Sequence, residues 1–186
     1  MRRLGAFSHV TLDGYFTDVS GDMSWAHTEK EDAEWNAFVA ANAGTGGTLV
    51  FGRVTYELMI RYWPTPMAAA NNPVIAERMN GLPKVVFSRT LATASWSNTK
   101  LVKGDLASEI RTMKQQPGKD MVILGSGQLV SQLAREGLID EYQVVINPIV
   151  LGKGRTLFDG VKQKLALTES RTFGNGNVVL SYKPMA

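Results

Sequence analysis

The chain has 186 residues, of which 44% are hydrophobic and 20% charged, with a formal net charge of +3. That balance suits one globular domain and excludes a disordered chain, and no apolar run approaches the roughly 18 residues of a membrane-spanning helix. Cysteine is absent and histidine occurs only as His9 and His27, which excludes disulfide scaffolds, thiolate nucleophiles, iron–sulfur clusters and histidine-rich metal sites.

In chain order the pattern alternates strand and helix. The N-terminal MRRLGAFSHV lacks the unbroken apolar stretch of a leader and reads as a first strand over residues 3–10, so a cytoplasmic location is expected. Residues 31–43 read as a helix with Trp35, Phe38 and Val39 on one face. TLVFG over 48–52 is a short buried strand, followed by a helix over 55–62 and another over 72–79. The stretches 17–28, 43–48 and 62–73 read as loops inside one domain. KVVFS over 84–88 is a strand, and 96–102 a further candidate. Residues 106–115 form a helix stopped by Pro117-Gly118. DMVIL over 120–124 is a strand, and 127–136 a helix ended by Gly137. A strand over 141–146 precedes Pro148, which cannot donate to a sheet ladder and marks an edge or bend. Residues 164–173 and 177–183 form a terminal hairpin joined by Gly-Asn-Gly. The alternation predicts one α/β domain over 1–186, with a mixed, mostly parallel sheet, an antiparallel C-terminal hairpin and a ligand site beyond the strands' carboxyl ends.

Three strands end in turns that lead onward in the same way. Gly125, Ser126, Gly127, Gln128 and Leu129 form a small-residue turn into a helix. It is either a phosphate cradle using free helix N–H groups or simply a tight strand–helix turn. Gly52, Arg53, Val54 and Thr55 repeat the pattern: Thr55 can cap the helix, and Arg53 either forks onto a phosphate or is a solvated charge. Ser88, Arg89 and Thr90 cluster hydroxyls around a guanidinium, a set suited to a phosphate monoester such as the 2′-phosphate that separates NADP from NAD. Asp13 lies in Leu12-Asp13-Gly14, after the first strand. It closes an Asx-type turn or stands at the mouth of the site. The basic residues are scattered, so a nucleic-acid partner is not expected; the mild positive balance suits a small anionic ligand.

LDGYF (12–16), LVFGRVTYELM (49–59), KVVFSRT (84–90) and ILGSGQLVSQLAREGLIDEYQVVINPIVLGKGRTLF (123–158) together resemble the dihydrofolate reductase-like fold. More closely they resemble the C-terminal reductase domain of the bifunctional riboflavin-biosynthesis deaminase–reductase and its stand-alone bacterial relatives. The resemblance implies a three-layer fold with helices on both faces of the sheet and an NADPH-dependent reductase that acts on a small molecule. Gly52, Arg53, Val54 and Thr55 would hold the cofactor phosphates. Ser88, Arg89 and Thr90 would face the 2′-phosphate. Residues Gly125 to Leu129 would wrap the pyrophosphate and nicotinamide side, with Gly125-Ser126 at the place of the family's cis peptide. The loop from Thr11 to Phe16 would close over the nicotinamide.

The zinc-deaminase signature is absent from the chain. The implied reaction passes hydride to a C=N or C=O carbon of a small heterocycle, such as the ribosylaminopyrimidine of the riboflavin pathway, with Asp13 or ordered water supplying the proton. Dihydrofolate reduction and a non-catalytic nucleotide-binding module are the alternatives. Asp32, three residues before Trp35, is the possible counterpart of the folate-binding carboxylate or a helix N-terminal charge. Lys153 and Arg155 either contact a substrate phosphate or sit in a solvated turn. Trp35, Phe38, Trp63 and Trp96 read as packing residues, His9 as a core or edge residue and His27 as a loop residue. Related reductase domains pair as dimers, so a homodimer is expected.

Overall fold

Strand β1 (Leu4–Thr11) alternates buried and half-buried positions, so its two sides face different layers. The structure, a computed structural model, describes residues 1–26, 32–43 and 47–185. His27, Glu31 at the start of the first expected helix, and residues 44–46 of the glycine-rich stretch lie outside the described residues. After β1 come the short β2 (Tyr15–Thr17), helix α1 (Ala33–Ala43) and strand β3 (Thr48–Gly52). Helix α2 (Arg53–Tyr62) starts at once, two residues earlier than expected, because Gly52 already serves as its N-cap.

Residues 62–73, expected to be a loop, contain helix α3 (Pro66–Asn71). The Thr65 hydroxyl accepts the Ala68 N–H and Pro66 occupies the first helical turn, so the apparent breaker is a helix start. Helix α4 (Pro73–Gly81), strands β4 (Lys84–Phe87) and β5 (Thr99–Val102), and helix α5 (Leu106–Gln115) follow. The chain continues through β6 (Met121–Leu124), α6 (Gly127–Arg135), β7 (Glu141–Asn147) and the two-residue β8 (Arg155–Thr156). Strands β9 (Leu165–Thr172) and β10 (Val178–Pro184) form the terminal hairpin.

The eight-stranded sheet runs β5-β4-β3-β6-β1-β7-β10-β9. From β5 to β7 all neighbours are parallel; β10 is antiparallel to both β7 and β9. β2 and β8 pair separately as an antiparallel ribbon. Helices cover both faces. Ile110 of α5 and Val130 and Leu133 of α6 pack on Ala6, Val50 and Ile123. Tyr56 of α2 and Met79 of α4 pack on Phe51, Val86 and Trp96, while Trp35 of α1 packs on Val145, Phe173 and Val179. Each such large apolar side chain contributes about 1.5–3 kcal/mol on burial, so the three layers are held by the alternation of the strands themselves. Trp96 and Trp35 are 4% and 8% exposed, which makes both of them core.

The placement of β6 shapes the site. The chain runs from β1 past one position to β3, builds outward to β5, then returns to lay β6 in the gap. β6 is short: it pairs with β1 only from Leu4 to Phe7 and with β3 only from Thr48 to Val50. β1 continues to Thr11, paired on its other side with β7. Beyond Leu124 the sheet therefore opens into a notch between β1 and β3, at the carboxyl ends where α/β sheets bind ligands.

Candidate functional site

The floor of the notch is the turn from β6 into α6. The Gly125 N–H donates to the Phe7 carbonyl at 3.1 Å, closing the β1–β6 ladder. Gly125 and Ser126 then both take left-handed conformations, with φ of 58° and 50°. No peptide bond among the described residues is cis. Such a conformation costs a non-glycine residue about 1–2 kcal/mol, and here it is held by bonds to the neighbouring turn. The Ser126 Oγ accepts the Gly52 N–H at 2.9 Å, and the Ser126 N–H donates to Thr55 Oγ1 at 3.1 Å. The fit is close: a Cβ on Gly52 would lie 3.1 Å from Leu129 Cδ1, and one on Gly125 would lie 3.4 Å from Thr55 Cγ2.

Two helix N-termini thus stand side by side at the notch. Neither α2 nor α6 has a side-chain cap, so their first N–H groups face outward with the positive ends of both dipoles. α5, by contrast, already has an anion at its start: the Asp105 carboxylate accepts the Ser108 N–H. Val54 and Gln128 are exposed beside the two starts, whereas Leu129 is buried beneath them. The pair of bare N-termini, with glycine at both approaches, fits a pyrophosphate in shape and sign.

The third turn lies next along the same edge, because Phe87 is the register partner of Gly52. Its hydroxyls shape the turn: Ser88 Oγ accepts the N–H groups of Thr90 and Leu91 at 3.2 and 2.9 Å. Arg89 and Thr90 are exposed. The Arg89 guanidinium acts electrostatically on Asp105. Arg53 forms an exposed i,i+4 pair with Glu57 at 3.0 Å.

Asp13 occupies the other side of the notch, in the loop after β1. Its Oδ1 accepts the Thr11 hydroxyl at 2.6 Å and the Leu151 N–H at 3.3 Å, and its Oδ2 accepts the Gly152 N–H at 2.7 Å. The Thr11 hydroxyl, opposed by desolvation and helped by the Gly152 and Leu151 amides, holds the carboxyl below the usual range. The carboxylate thus ties the loop after β1 to the loop after β7. Leu12 N–H adds a bond to the Ile149 carbonyl, and β2 and β8 pair just beyond. Gly154 sits so close to β2 that a Cβ there would fall 2.2 Å from the Thr17 carbonyl oxygen; Arg155 is exposed within β8. An apolar cavity of about 200 Å³, lined by Val10, Gly14, Tyr142, Ile146, Leu157 and Phe158 among others, lies on the α5–α6 side beneath this loop pair.

The α1-facing side carries polar residues, among them Asn147, which sequence reasoning passed over. His9 is half-buried, with Asn147 against its Nδ1. Its place on the Phe7 face of the alternating β1 was the available signal. Asp32 caps α1 through the Trp35 N–H at 3.0 Å and also accepts the Asn175 N–H of the hairpin turn at 2.9 Å. It therefore works as a helix cap and hairpin anchor.

The chain is similar along nearly its whole length to known proteins. Bacillus subtilis (strain 168) YyaP, itself uncharacterized, is 29% identical over 175 residues, covering 93% of this chain and 90% of the relative. A solved structure from Shewanella sp. PV-4, provisionally assigned to riboflavin biosynthesis, superposes with a TM-score of 0.73 at 23% identity, covering 99% of both chains. Dihydrofolate reductase from Enterococcus faecalis, solved with NADP(H), superposes with a TM-score of 0.63 at 17% identity, covering 99% of this chain and 97% of that one. The fold is dihydrofolate reductase-like. A family model, the RibD C-terminal domain, matches residues 3–179, and the chain belongs to that family.

Proposed function

We propose that the chain is an NADPH-dependent reductase that transfers hydride to a small heterocyclic substrate of the ribosylaminopyrimidine type. Membership of the RibD C-terminal domain family supports a reductase-type oxidoreductase of the riboflavin pathway. The single observation that carries the cofactor reading is the clasp of Gly52, Thr55 and Ser126, which sets two uncapped helix N-termini side by side at the notch. Gly52 to Thr55 and Gly125 to Leu129 hold the pyrophosphate; Arg89 and Thr90 take the 2′-phosphate. NADPH supplies the hydride. The chain positions the nicotinamide in the notch and keeps water out with the loop that Asp13 ties down. An ionised carboxylate with both oxygens occupied is poorly placed to donate a proton, so Asp13 is a positioning residue in this reading. Asp32 is committed to the α1 cap and the hairpin, which favours the pyrimidine substrate over a folate.

Calorimetric titration tests the cofactor reading. Wild-type protein is expected to bind NADPH more tightly than NADH, and Arg89→Ala to lose about tenfold or more in NADPH affinity, the scale of one charge-assisted contact. Equal wild-type affinities for the two cofactors would reject the 2′-phosphate assignment. NADPH oxidation with 5-amino-6-(5-phosphoribosylamino)uracil tests the substrate, with dihydrofolate as the comparison. β9, at the sheet edge and exposed along most of its length, is the surface through which two copies would pair. Light scattering reads the resulting mass.

A further inference from the structure

The α1-facing side of the notch holds polar groups that the phosphate edge does not use. His9 lies two residues past Phe7 on β1, where β6 has already turned away. At ~3.3 Å per residue it stands roughly 7 Å beyond the closing Gly125–Phe7 bond. Its ring is edge-on to Phe7 at 5.6 Å and to Trp35 at 6.0 Å. Nδ1 is 3.2 Å from Asn147 Nδ2 and 3.4 Å from Oδ1. Asn147 is 2% exposed, and its Nδ2 also reaches the carbonyl oxygens of Val10 and Val145 at 3.2 Å each. An amide nitrogen has two hydrogens, and these carbonyls can only accept. With His9 Nδ1, three acceptors at 3.2 Å share these two hydrogens. When the two carbonyls take both, Oδ1 accepts from His9; in that arrangement the neutral ring carries its hydrogen on Nδ1, and the second proton of the imidazolium is on Nε2.

Continuing the register past Val178–Ile146 sets Asn177 beside Asn147 on this face, next to the cluster of Trp35, Val145 and Phe173. Asn177 is 1% exposed, and neither its side-chain nitrogen nor its oxygen has a partner among the described residues. A buried polar group left unmatched costs about 1–3 kcal/mol, which a ligand presenting a complementary N–H and C=O edge would recover. From β1 across β7 to β10 is two strand spacings, roughly 10 Å, the span of a substituted six-membered ring.

We propose that His9, oriented by Asn147, is the proton donor of the reduction, and that Asn177 holds the substrate by a –CO–NH– edge of the kind uracil carries. This rests on the reductase reading above. The substrate C=N or C=O carbon accepts hydride from the dihydronicotinamide. The π pair of that bond moves to the heteroatom, which takes the Nε2 proton of the His9 imidazolium. The nicotinamide leaves oxidised, and a proton taken up from solvent restores the imidazolium, so that one proton is consumed per turnover.

Magnetic resonance of wild-type protein carrying isotope-labelled histidine and asparagine tests this, with His27→Gln and Asn177→Ser identifying the signals. NADP⁺ is expected to shift the His9 ring signals as it saturates, and uracil added to that complex to shift the Asn177 side-chain amide. The neutral His9 ring is expected to carry its hydrogen on Nδ1. Saturable NADP⁺ binding with the His9 signals unmoved, or a neutral ring without hydrogen on Nδ1, overturns the His9 assignment and leaves the reductase reading intact. Asn177 signals unmoved by millimolar uracil overturn the edge assignment. Absence of NADP⁺ binding removes the reductase reading and the proposal with it. In single-turnover reduction of 5-amino-6-(5-phosphoribosylamino)uracil, His9→Gln is expected to lose about 100-fold with NADP⁺ affinity retained; a loss below about tenfold overturns the donor role.

Discussion

The Ser126 hydroxyl accepts the Gly52 amide hydrogen at 2.9 Å, joining two turns that lie 74 residues apart in sequence. The same residue gives its own N–H to Thr55, so one left-handed serine fixes the spacing of α2 and α6 at their N-termini. The edge proposed to take the cofactor phosphates is thus organised by contacts within the chain, so in that reading binding there incurs little ordering cost.

Ser126→Ala removes the acceptor and leaves the Gly52 N–H without its partner. We expect a loss of about 1–2 kcal/mol of stability, seen as a lower urea midpoint with an unchanged slope. NADPH affinity should fall as well, because the two N-termini lose their register. Thr55→Val tests the other half of the clasp, and the double variant should cost less than the sum of the singles. Full additivity would mean that the two bonds do not act together.

Asp13 gives a pH dependence with a definite sign. The Thr11 hydroxyl holds it below the usual carboxylate range. Asp18, Asp32, Asp105 and Asp120 are held down as well, chiefly by Ser20, Trp35, Ser108 and Arg3 in turn. A depressed folded value means that the unfolded chain takes up protons first as acid is added. The stabilisation is therefore present above about pH 4 and lost as pH falls through the folded values. Urea midpoints are expected to be flat down to about pH 5 and to drop below about pH 4. Asp13→Asn should make that drop shallower. It should also free the loop around Leu151 and Gly152, read as faster proteolytic nicking there.

Lys84 and Tyr142 act in the alkaline range with opposite signs. Burial pushes the Lys84 ammonium down to about 8 and the Tyr142 hydroxyl up to about 12. Lys84 Nζ donates to the carbonyls of Asn80 and Leu82 at 3.1 and 2.6 Å and lies 4.7 Å from the centre of the Trp96 ring. Between about pH 8 and 10 the unfolded lysine keeps a proton that the folded one releases, so stability rises with pH. Above about pH 10 the unfolded tyrosine ionises while Tyr142 does not, so stability falls. Lys84→Met should abolish the rise and Tyr142→Phe the fall. A denaturation series across pH that keeps both features in both variants would contradict the assignment.

Much of this architecture is legible in the residues because local signals agree with the final packing. Thr48–Gly52 and Leu106–Gln115 have the expected boundaries: an apolar run meets a glycine in the first, and Asp105 and Pro117-Gly118 bracket the second. Helix α3 is hidden because Thr65-Pro66 reads as punctuation until its capping bond is seen. The β2–β8 ribbon is too short to show a period. At the site, the small-residue turns are visible as strings, but the notch is not. It arises because β6 stops at Leu124 while β1 runs on to Thr11, a difference in register that only tertiary pairing defines. His9 reads from the sequence as a core or edge residue, and it is half-buried in β1; what the sequence does not show is its neighbour Asn147, which lies 138 residues away.

Gly127 provides a stringent test of how the loop after β1 is held on the turn between β6 and α6. A Cβ at this position would lie 2.7 Å from both Cδ1 and Cε1 of Phe16, closer than real carbon contacts allow. Phe16 belongs to β2, is half-buried and packs against the core beneath α6, so displacing its ring gives up part of that burial. Gly127→Ala is therefore expected to push β2 and its partner β8 off the turn at a cost of about 1–3 kcal/mol, and to weaken NADPH binding by displacing the first N–H groups of α6. Phe16→Ala alone should also destabilise, by loss of buried ring area. In the Phe16→Ala background, however, the alanine at 127 has room, so the penalty should nearly vanish and the coupling between the two sites should approach the full cost of the single change. If Gly127→Ala is as damaging without the Phe16 ring as with it, the ring contact is not what requires glycine there, and the requirement lies in the backbone of the turn itself.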